Sequence, residues 1–196
     1  MELIDRSWAF HLDEWRGGRP FGPEGAARWC LDALGLAATA PDLDELAEAI
    51  AIGSLAVGTG VVDGAAEALE ALRRARIPTA LICDTGFTPS WVVREALLLH
   101  NLTLDHSFFS DEVGTPKPHP PMFRAALEAT GAEPGEAVHI GDLRRTDVAG
   151  ARAAGMAAVR FAGVHDDGWM PEDCKADVEA DAVLYRWADL PDLLGL

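Results

Sequence analysis

The chain has 196 residues, a formal net charge of −16 and 49% hydrophobic residues, which is the composition of a globular protein with one main domain rather than a disordered or fibrous one. The negative charge disfavours a nucleic-acid backbone or an anionic membrane surface as the main partner, because both would be repelled. Its 3 cysteines lie far apart and indicate neither a disulfide framework nor a metal-binding pair, and the first residues carry no long apolar run. We therefore expect a cytoplasmic protein.

Residues 1–57 are predicted to form a small, entirely helical region. Apolar residues recur there at helical spacing, and a Gly/Pro-rich segment, GGRPFGPEG, interrupts the pattern. The aromatic residues at these spacings are typical of a packing face, and we prefer that interpretation to a substrate pocket. The predicted helices lie at residues 8–15, 26–34 and 43–50.

After residue 58 short apolar strands alternate with helices. Strands joined by crossovers longer than about ten residues lie parallel, so residues 58–196 are predicted to form an α/β fold, a Rossmann-like three-layer α/β/α parallel sheet. Thr88 is the predicted N-cap of one of these helices and Pro89 its first residue. The predicted strands lie at residues 79–83, 106–110, 137–140, 157–161 and 182–185, and the predicted helices at residues 65–76, 89–100, 121–130 and after Asp147.

Polar residues follow three of the predicted strands. Thr85 and Gly86 follow the first strand, Lys117 lies between two prolines after the second, and Asp142 follows the third. Because ligands bind at the carboxyl ends of parallel strands, we expect these residues to share one edge of the sheet. A hydroxyl with free backbone amides, a lysine and a carboxylate suited to Mg²⁺ together make a phosphate site.

Asp147 begins the helix that follows Asp142. It could work with Asp142 at a metal, or it could cap the helix beside Thr146. The residues by themselves leave both interpretations open for Asp147, whereas Asp142 is the stronger candidate for a metal ligand.

Three segments, taken in order, resemble a known family. They are DTG (residues 84–86), GTPKPHPPMF (114–123) and HIGDLRRTDVAGARAAGM (139–156). Together they resemble the second, third and fourth motifs of the haloacid dehalogenase (HAD) superfamily of hydrolases, most of which are phosphatases. The resemblance covers residues 58–196, and the helical region before them resembles the inserted cap of that family.

The resemblance implies roles for the residues at the sheet edge. Lys117 would steady the phosphoryl group and the nucleophile, Asp142 would ligate Mg²⁺, and Asp147 would orient the groups around the metal. The hydroxyl that the family places at the strand end corresponds here to Cys83. Either Thr85 makes the phosphate hydrogen bond instead, with Gly86 beside it, or that contact is weakened.

The first motif of the family, an apolar strand ending in Asp-x-Asp-x-Thr, has no counterpart in the sequence. Its first Asp is the nucleophile and its second the general acid/base. The nearest candidate is Asp5 in MELIDRSW, where Ser7 stands in place of the acid. We interpret Asp5 as a surface or helix-start acid, and Asp13 as part of a helix.

In the family this missing strand lies in the middle of the sheet, and its loss leaves backbone groups of the neighbouring strands unpaired. The strands could close up, a partner chain could donate a strand, or the protein could begin upstream of Met1. We favour the last of these, because unpaired buried backbone is costly and nothing else in the sequence is suited to fill the gap.

The sequence and the resemblance therefore predict a Mg²⁺-dependent phosphatase of a small phosphorylated metabolite. For the chain as it starts at Met1, they predict little or no turnover and weak or absent Mg²⁺ binding, because the Asp-x-Asp carboxylates are missing. The alternative is a non-catalytic descendant that binds a phosphorylated ligand or a partner protein through the same edge. A dehalogenase is disfavoured, because Asp142 and Asp147 fit metal-dependent phosphoryl chemistry better. An oligomer is possible but not indicated.

Overall fold

Helices occupy the N-terminal part of the chain, and strands alternate with helices after it, as the hydrophobic pattern predicts. The protein is described by a computed structural model over residues 10–11, 13–19, 21–37, 39–56, 60–164 and 177–196. Asp5, Ser7 and three residues of the predicted helix at residues 8–15, namely Trp8, Ala9 and Leu12, lie outside these ranges.

The helices and strands agree with the predicted ones in type and order. The short helix α5 and the π-helical turn were not predicted. The elements are α1 (Pro23–Leu34), α2 (Ala40–Ala56), α3 (Ala65–Arg74), β1 (Ala80–Cys83), α4 (Ser90–Leu99), β2 (His106–Phe109), α5 (Ser110–Val113), α6 (Pro120–Thr130), β3 (Val138–Gly141), the π turn (Arg144–Val148), α7 (Ala149–Ala153), β4 (Ala157–Phe161), β5 (Ala182–Leu184) and α8 (Leu190–Leu194).

Parallel strands confirm the predicted α/β class. β3, β4 and β5 form a sheet in that order, with both pairs parallel, Val138 opposite Ala157 and Val159 opposite Ala182. β1 and β2 form a separate two-stranded sheet. The described strands thus form two hydrogen-bonded sheets where one continuous sheet was expected. Among the described residues, no helix is both long enough and apolar enough to cross a bilayer.

The chain divides into two compact units, each made of several segments. The first unit comprises Met1–Gly60, Cys83–His100 and Phe109–Pro116, and the second comprises Val61–Ile82, Asn101–Phe108 and Lys117–Leu196. The division into a cap over residues 1–57 and a core over residues 58–196 stays a prediction.

In the first unit, α1 packs against α2. Ala26 and Ala27 on α1 are buried, which lets the two helices approach closely. α1 ends at Gly35, whose φ of 66° is left-handed and whose N–H bonds to Asp32 O at 3.0 Å. A glycine adopts this conformation without steric cost, so it marks the end of the helix.

The start of α4 differs from the prediction by one residue. Pro89 is the N-cap, with extended backbone angles, and Ser90 is the first helical residue. The assignment of Thr88 as the N-cap is therefore wrong. The N–H of Ser90 donates instead to Asp111 Oδ2 at 2.9 Å, so a carboxylate on α5 satisfies this helix terminus.

The core of the second unit lies between α3 and the three-stranded sheet. Ala68 and Leu72, four residues apart on α3, face the same way and are buried. The buried residues that form this core are Ala68, Leu72, Val159, Phe161, Leu184 and Leu190.

Two aspartates fix the starts of strands in the second unit. Asp105 precedes β2 and accepts the N–H of Thr79 at 2.8 Å and its hydroxyl at 2.9 Å. Asp181 precedes β5 and accepts the N–H of Ala158 at 2.8 Å. Each carboxylate therefore connects the beginning of one strand to the neighbouring strand, which fixes their register.

Close packing between α6 and α7 depends on Gly150. A Cβ atom at this position would overlap the ring of Phe123, a fully buried residue of α6, and would lie 3.2 Å from Pro118 Cα. Gly53, inside α2, has no atom within 4 Å of the corresponding position. The two helical glycines thus differ only in what a methyl group would meet.

We expect Gly150→Ala to destabilise the protein and Gly53→Ala to stabilise it. Both substitutions gain up to about 1 kcal/mol of helix propensity, but overpacking against Phe123 costs about 1–3 kcal/mol. Urea unfolding of both variants measures the difference. Equal stability of the two variants would contradict the packing described for α6 and α7.

Candidate functional site

A buried carboxylate, that of Asp147, is the centre of the site in the second unit. The residue is 2% exposed. Its Oδ1 accepts hydrogen bonds from Lys117 Nζ at 2.6 Å and from His139 Nε2 at 2.9 Å. Its Oδ2 accepts the N–H of Leu143 at 3.1 Å. Both carboxylate oxygens are therefore held by donors from three separate places in the chain.

The local backbone explains why Asp147 points inward. The N–H of Asp147 bonds to Leu143 O at 2.9 Å, and the Asp147 carboxylate accepts the N–H of Leu143 in return. This reciprocal pair closes the π turn onto the end of β3. Gly141, the last residue of β3, leaves room for the carboxylate, because a Cβ atom there would overlap it.

The charge state of Asp147 follows from its surroundings. Burial by itself raises the pKa of the Asp147 carboxyl, but the Lys117 ammonium and the His139 imidazole offset burial and hold that pKa below its ordinary value. The carboxylate is therefore ionised over the whole physiological range. A buried negative charge of this kind is stable only while its cationic partner is present.

Lys117 and His139 both precede Asp147 in the sequence, by 30 and 8 residues. Lys117 precedes α6, and its side chain is 12% exposed, so most of its length is covered while part of it reaches solvent. His139 lies in the middle of β3, and its ring meets the Phe123 ring edge-on at 5.1 Å between centroids. Phe123 therefore supports the imidazole that bonds to Asp147.

Sequence reasoning missed His139. The residue was counted only as part of an apolar strand. The available signal was a polar ring inside an otherwise apolar run, eight residues before a candidate acid. Burial of a polar side chain requires a hydrogen-bond partner, and that requirement could have paired His139 with Asp147.

Asp142 directly follows β3 and is half-buried. It lies one residue beyond Gly141 and one before Leu143, the residue whose N–H bonds to Asp147. In the part of the chain that the structure describes, no group of three or more His, Cys, Asp or Glu residues is arranged to hold a metal. The assignment of Asp142 as a Mg²⁺ ligand stays a prediction.

Thr85 and Gly86 belong to the first unit. Thr85 is buried, and its Oγ1 lies 3.0 Å from Ser110 Oγ and accepts the N–H of Asp111 at 3.2 Å. Its own N–H donates to Ser110 Oγ at 2.9 Å. The Thr85 hydroxyl therefore joins the loop after β1 to the start of α5.

Cys83, the alternative to Thr85, is half-buried and its Sγ lies 3.6 Å from Asp84 O. Gly86 lies close to His11, because a Cβ atom at Gly86 would be 3.3 Å from the His11 ring. The roles of Thr85 and Gly86 in phosphate binding stay predictions.

Of the predicted site residues, the structure brings Lys117 and Asp147 into direct contact. Asp142 lies between the end of β3 and the π turn that contains Asp147. The metal role of Asp147 stays a prediction, and its side chain does not cap α7. Its carboxylate bonds to a backbone N–H at the start of the π turn, and it also holds a lysine and a histidine. The N-cap of α7 itself is Val148.

Comparison with known proteins points to one family. A model described as haloacid dehalogenase-like hydrolase matches residues 21–155. The chain is 35% identical over 100 residues to a glyceraldehyde 3-phosphate phosphatase from Pyrococcus furiosus, which covers 51% of this chain and 41% of that protein. It is 46% identical over 79 residues to a phosphoserine phosphatase from Thermus thermophilus, which covers 40% of this chain and 29% of that protein.

Among solved structures, a HAD phosphatase from Thermococcus onnurineus superposes with a TM-score of 0.63 at 25% identity and covers 97% of this chain and 80% of that chain. By sequence, the chain matches less than half of the length of the phosphatases from Pyrococcus furiosus and Thermus thermophilus. The structural match covers nearly the whole chain.

The Asp147 geometry predicts how stability depends on pH. Asp147→Asn is expected to lower the free energy of unfolding at pH 7 by about 3 kcal/mol, because Lys117 and His139 lose their anionic partner. The pKa of Asp147 is lower in the folded chain than in the unfolded one, so the unfolded chain binds more protons as pH falls. The stabilisation is therefore complete above about pH 5 and is lost progressively as the pH falls below about 4 toward the lowered pKa of the folded state.

Urea unfolding of both proteins between pH 7 and about pH 3 measures this effect. The difference in the free energy of unfolding between the wild type and Asp147→Asn should become smaller below about pH 4. Asp192→Asn removes the same charge from an exposed position and serves as a control that should stay within about 0.5 kcal/mol of the wild type. If the difference in the free energy of unfolding between the wild type and Asp147→Asn did not change with pH, the lowered pKa of Asp147 would be contradicted.

Proposed function

Because the chain belongs to the haloacid dehalogenase-like hydrolase family, we propose that its described residues supply phosphate-binding and metal-binding groups of a phosphatase that acts on a small phosphorylated molecule. The observation that carries this proposal is the bond between Lys117 and the buried Asp147, at the end of the strand that Asp142 follows. Two relatives named as phosphatases of small phosphorylated compounds support the substrate class.

Lys117 is the proposed phosphate-binding cation. Asp147 fixes the position of its ammonium group, so little reorganisation is needed when an anion binds. The side chain is 12% exposed, and a charge in such a poorly solvated place interacts more strongly with a phosphoryl group than one in water. His139 Nε2 donates a second hydrogen bond to Asp147 Oδ1, which keeps the carboxylate directed at Lys117.

Asp142 is the proposed ligand of Mg²⁺. The ion prefers carboxylate oxygen and usually binds through one or two carboxylates together with substrate phosphate. When bound, Mg²⁺ would neutralise charge on the phosphoryl group. Asp147 contributes indirectly, by holding the π turn that follows Asp142 against the end of β3.

Turnover by these 196 residues is expected to be very low. The sequence contains no Asp-x-Asp segment after an apolar strand, and removing a covalent nucleophile typically costs many orders of magnitude in kcat. The relatives named as phosphatases favour the hydrolase over the non-catalytic alternative. Thr85 and Gly86 remain proposed phosphate-binding residues.

The direct test is hydrolysis of an aryl phosphate with Mg²⁺ by the 196-residue chain and by the same chain preceded by an apolar strand ending in Asp-x-Asp. We expect turnover only in the extended protein. Lys117→Met in the extended protein should lower kcat/KM by at least about a hundredfold, since it removes a preorganised charge, whereas Arg124→Met at an exposed site should have little effect.

Activity of the 196-residue chain that Asp5→Asn abolishes would overturn the interpretation of Asp5. Full activity of the extended Lys117→Met protein would overturn the role of Lys117.

Phosphate binding can be measured without turnover. Phosphate with Mg²⁺ should raise the Tm of the extended protein, because a ligand that binds only the folded state stabilises it. Asp142→Asn should abolish the increase in Tm that Mg²⁺ causes. The increase in Tm that phosphate causes without Mg²⁺ should remain. Identical Tm values for wild type and Asp142→Asn at every Mg²⁺ concentration would contradict the metal assignment.

A further inference from the structure

Two residues of α5 hold the loop between β1 and α4 at both of its ends. Ser110 Oγ accepts the N–H of Thr85 at 2.9 Å, and Asp111 Oδ2 accepts the N–H of Ser90 at 2.9 Å. All four residues belong to the first unit. A short loop that is bonded at each end loses most of its conformational freedom, so the donors that it carries have fixed positions.

The side chains of Thr85 and Ser110 form a further contact between the loop and α5. Their hydroxyl oxygens lie 3.0 Å apart, so one hydroxyl donates to the other. Thr85 Oγ1 also accepts the N–H of Asp111 at 3.2 Å. Thr85 is 5% exposed and Ser110 is 3% exposed, so water does not compete for these hydrogen bonds.

The two hydroxyls carry one hydrogen more than their mutual bond uses. Each hydroxyl has one hydrogen and two acceptor lone pairs, and one of the two hydrogens lies between the oxygens. Among the described residues, none accepts the other hydrogen. A buried donor without an acceptor is costly, and an oxygen atom of a bound ligand would remove that cost.

The direction of the bond between the two hydroxyls decides which of them offers the spare hydrogen. When Ser110 donates to Thr85, both lone pairs of Thr85 Oγ1 are occupied, one by the Ser110 hydroxyl and one by the Asp111 N–H. Because the groups around a hydroxyl oxygen are tetrahedral, the Thr85 hydrogen then has only one direction left. A donor that is fixed in this way needs no reorganisation when an anion binds.

Cys83, the other candidate for the phosphate contact, is a weaker donor. A thiol forms only weak hydrogen bonds, and Cys83 Sγ lies 3.6 Å from Asp84 O. A hydroxyl forms shorter and stronger hydrogen bonds to an anion. The Thr85 hydroxyl is therefore better suited to a phosphoryl oxygen than the Cys83 thiol.

We propose that Ser110 is a positioning residue of the phosphate site, which donates its hydroxyl to Thr85 and thereby directs the Thr85 hydrogen at a phosphoryl oxygen. Ser110 does not touch the phosphoryl group itself. Because Thr85 binds phosphate only in the proposed function, this role of Ser110 rests on that function.

The first test measures the binding of inorganic phosphate with Mg²⁺, by isothermal titration calorimetry, to the protein extended by an apolar strand ending in Asp-x-Asp. Ser110→Ala removes the hydroxyl that directs Thr85. We expect its Kd for phosphate to rise at least about fivefold, the effect of about one hydrogen bond.

Glu112→Gln is the matched control on the same helix. The Glu112 carboxylate accepts hydrogen bonds from Arg94 Nη2 at 2.9 and 3.0 Å, and both side chains are 44% exposed. An exposed ion pair of this kind contributes little. The Kd of Glu112→Gln for phosphate should therefore stay within about twofold of the wild-type value.

Ser110→Cys distinguishes hydrogen bonding from packing. The thiol fills the space of the hydroxyl and leaves no cavity, but it is a weak donor and a weak acceptor. If Ser110 acts through its hydrogen bond, Ser110→Cys should raise the Kd for phosphate as Ser110→Ala does. In a Thr85→Val background, Ser110→Ala should raise that Kd by a smaller factor, because the hydroxyl that Ser110 directs is absent.

Hydrogen exchange on the 196-residue chain tests the same contact without a ligand. The Thr85 amide should exchange at least about tenfold faster in Ser110→Ala than in the wild type, because its acceptor has been removed. In Glu112→Gln its exchange rate should not change. Circular dichroism verifies that each variant is folded.

Three results would overturn the role of Ser110 and leave the proposed function intact. Wild type and Ser110→Ala could bind phosphate with equal Kd, Ser110→Cys could restore the wild-type Kd, or the Thr85 amide could exchange at the same rate in wild type and Ser110→Ala. If the extended wild-type protein bound no phosphate at all, the proposed function would fail, and the role of Ser110 would fail with it.

Discussion

The second unit depends on one buried charge, the carboxylate of Asp147. A negative group that is 2% exposed is tolerated only because Lys117, His139 and a backbone N–H bond to it. These contacts connect the segment before α6, the middle of β3 and the π turn. Removing the charge would therefore disturb three elements at once, and the glycine at the end of β3 is required for the same reason.

The contacts of Asp147 also bear on the proposed phosphate site. The bond that satisfies Asp147 fixes the ammonium group of Lys117 at a partly exposed position. The turn that the carboxylate closes is the one that follows Asp142. In the proposed phosphate site, one buried carboxylate would hold both the cation and the turn next to the metal ligand, so both would be disturbed if Asp147 were replaced.

Much of this could be predicted from the sequence. Alternating apolar strands and helices, together with the three motifs, gave the α/β class and pointed to Lys117, Asp142 and Asp147. The sequence did not indicate the role of His139, because the apolar pattern of a strand does not show which polar side chains will be in contact in the folded chain. The division of the strands into two sheets depends on which edges meet in space, and a linear pattern carries no information on that.

The central claim, that Asp147 holds Lys117 as one unit, is tested most directly by a double-mutant cycle on unfolding free energies with Lys117→Met, Asp147→Asn and the double variant at pH 7. We predict a coupling of at least about 2 kcal/mol, because each single variant leaves a buried group without its partner and the double variant does not. Additivity within about 0.5 kcal/mol would contradict the claim.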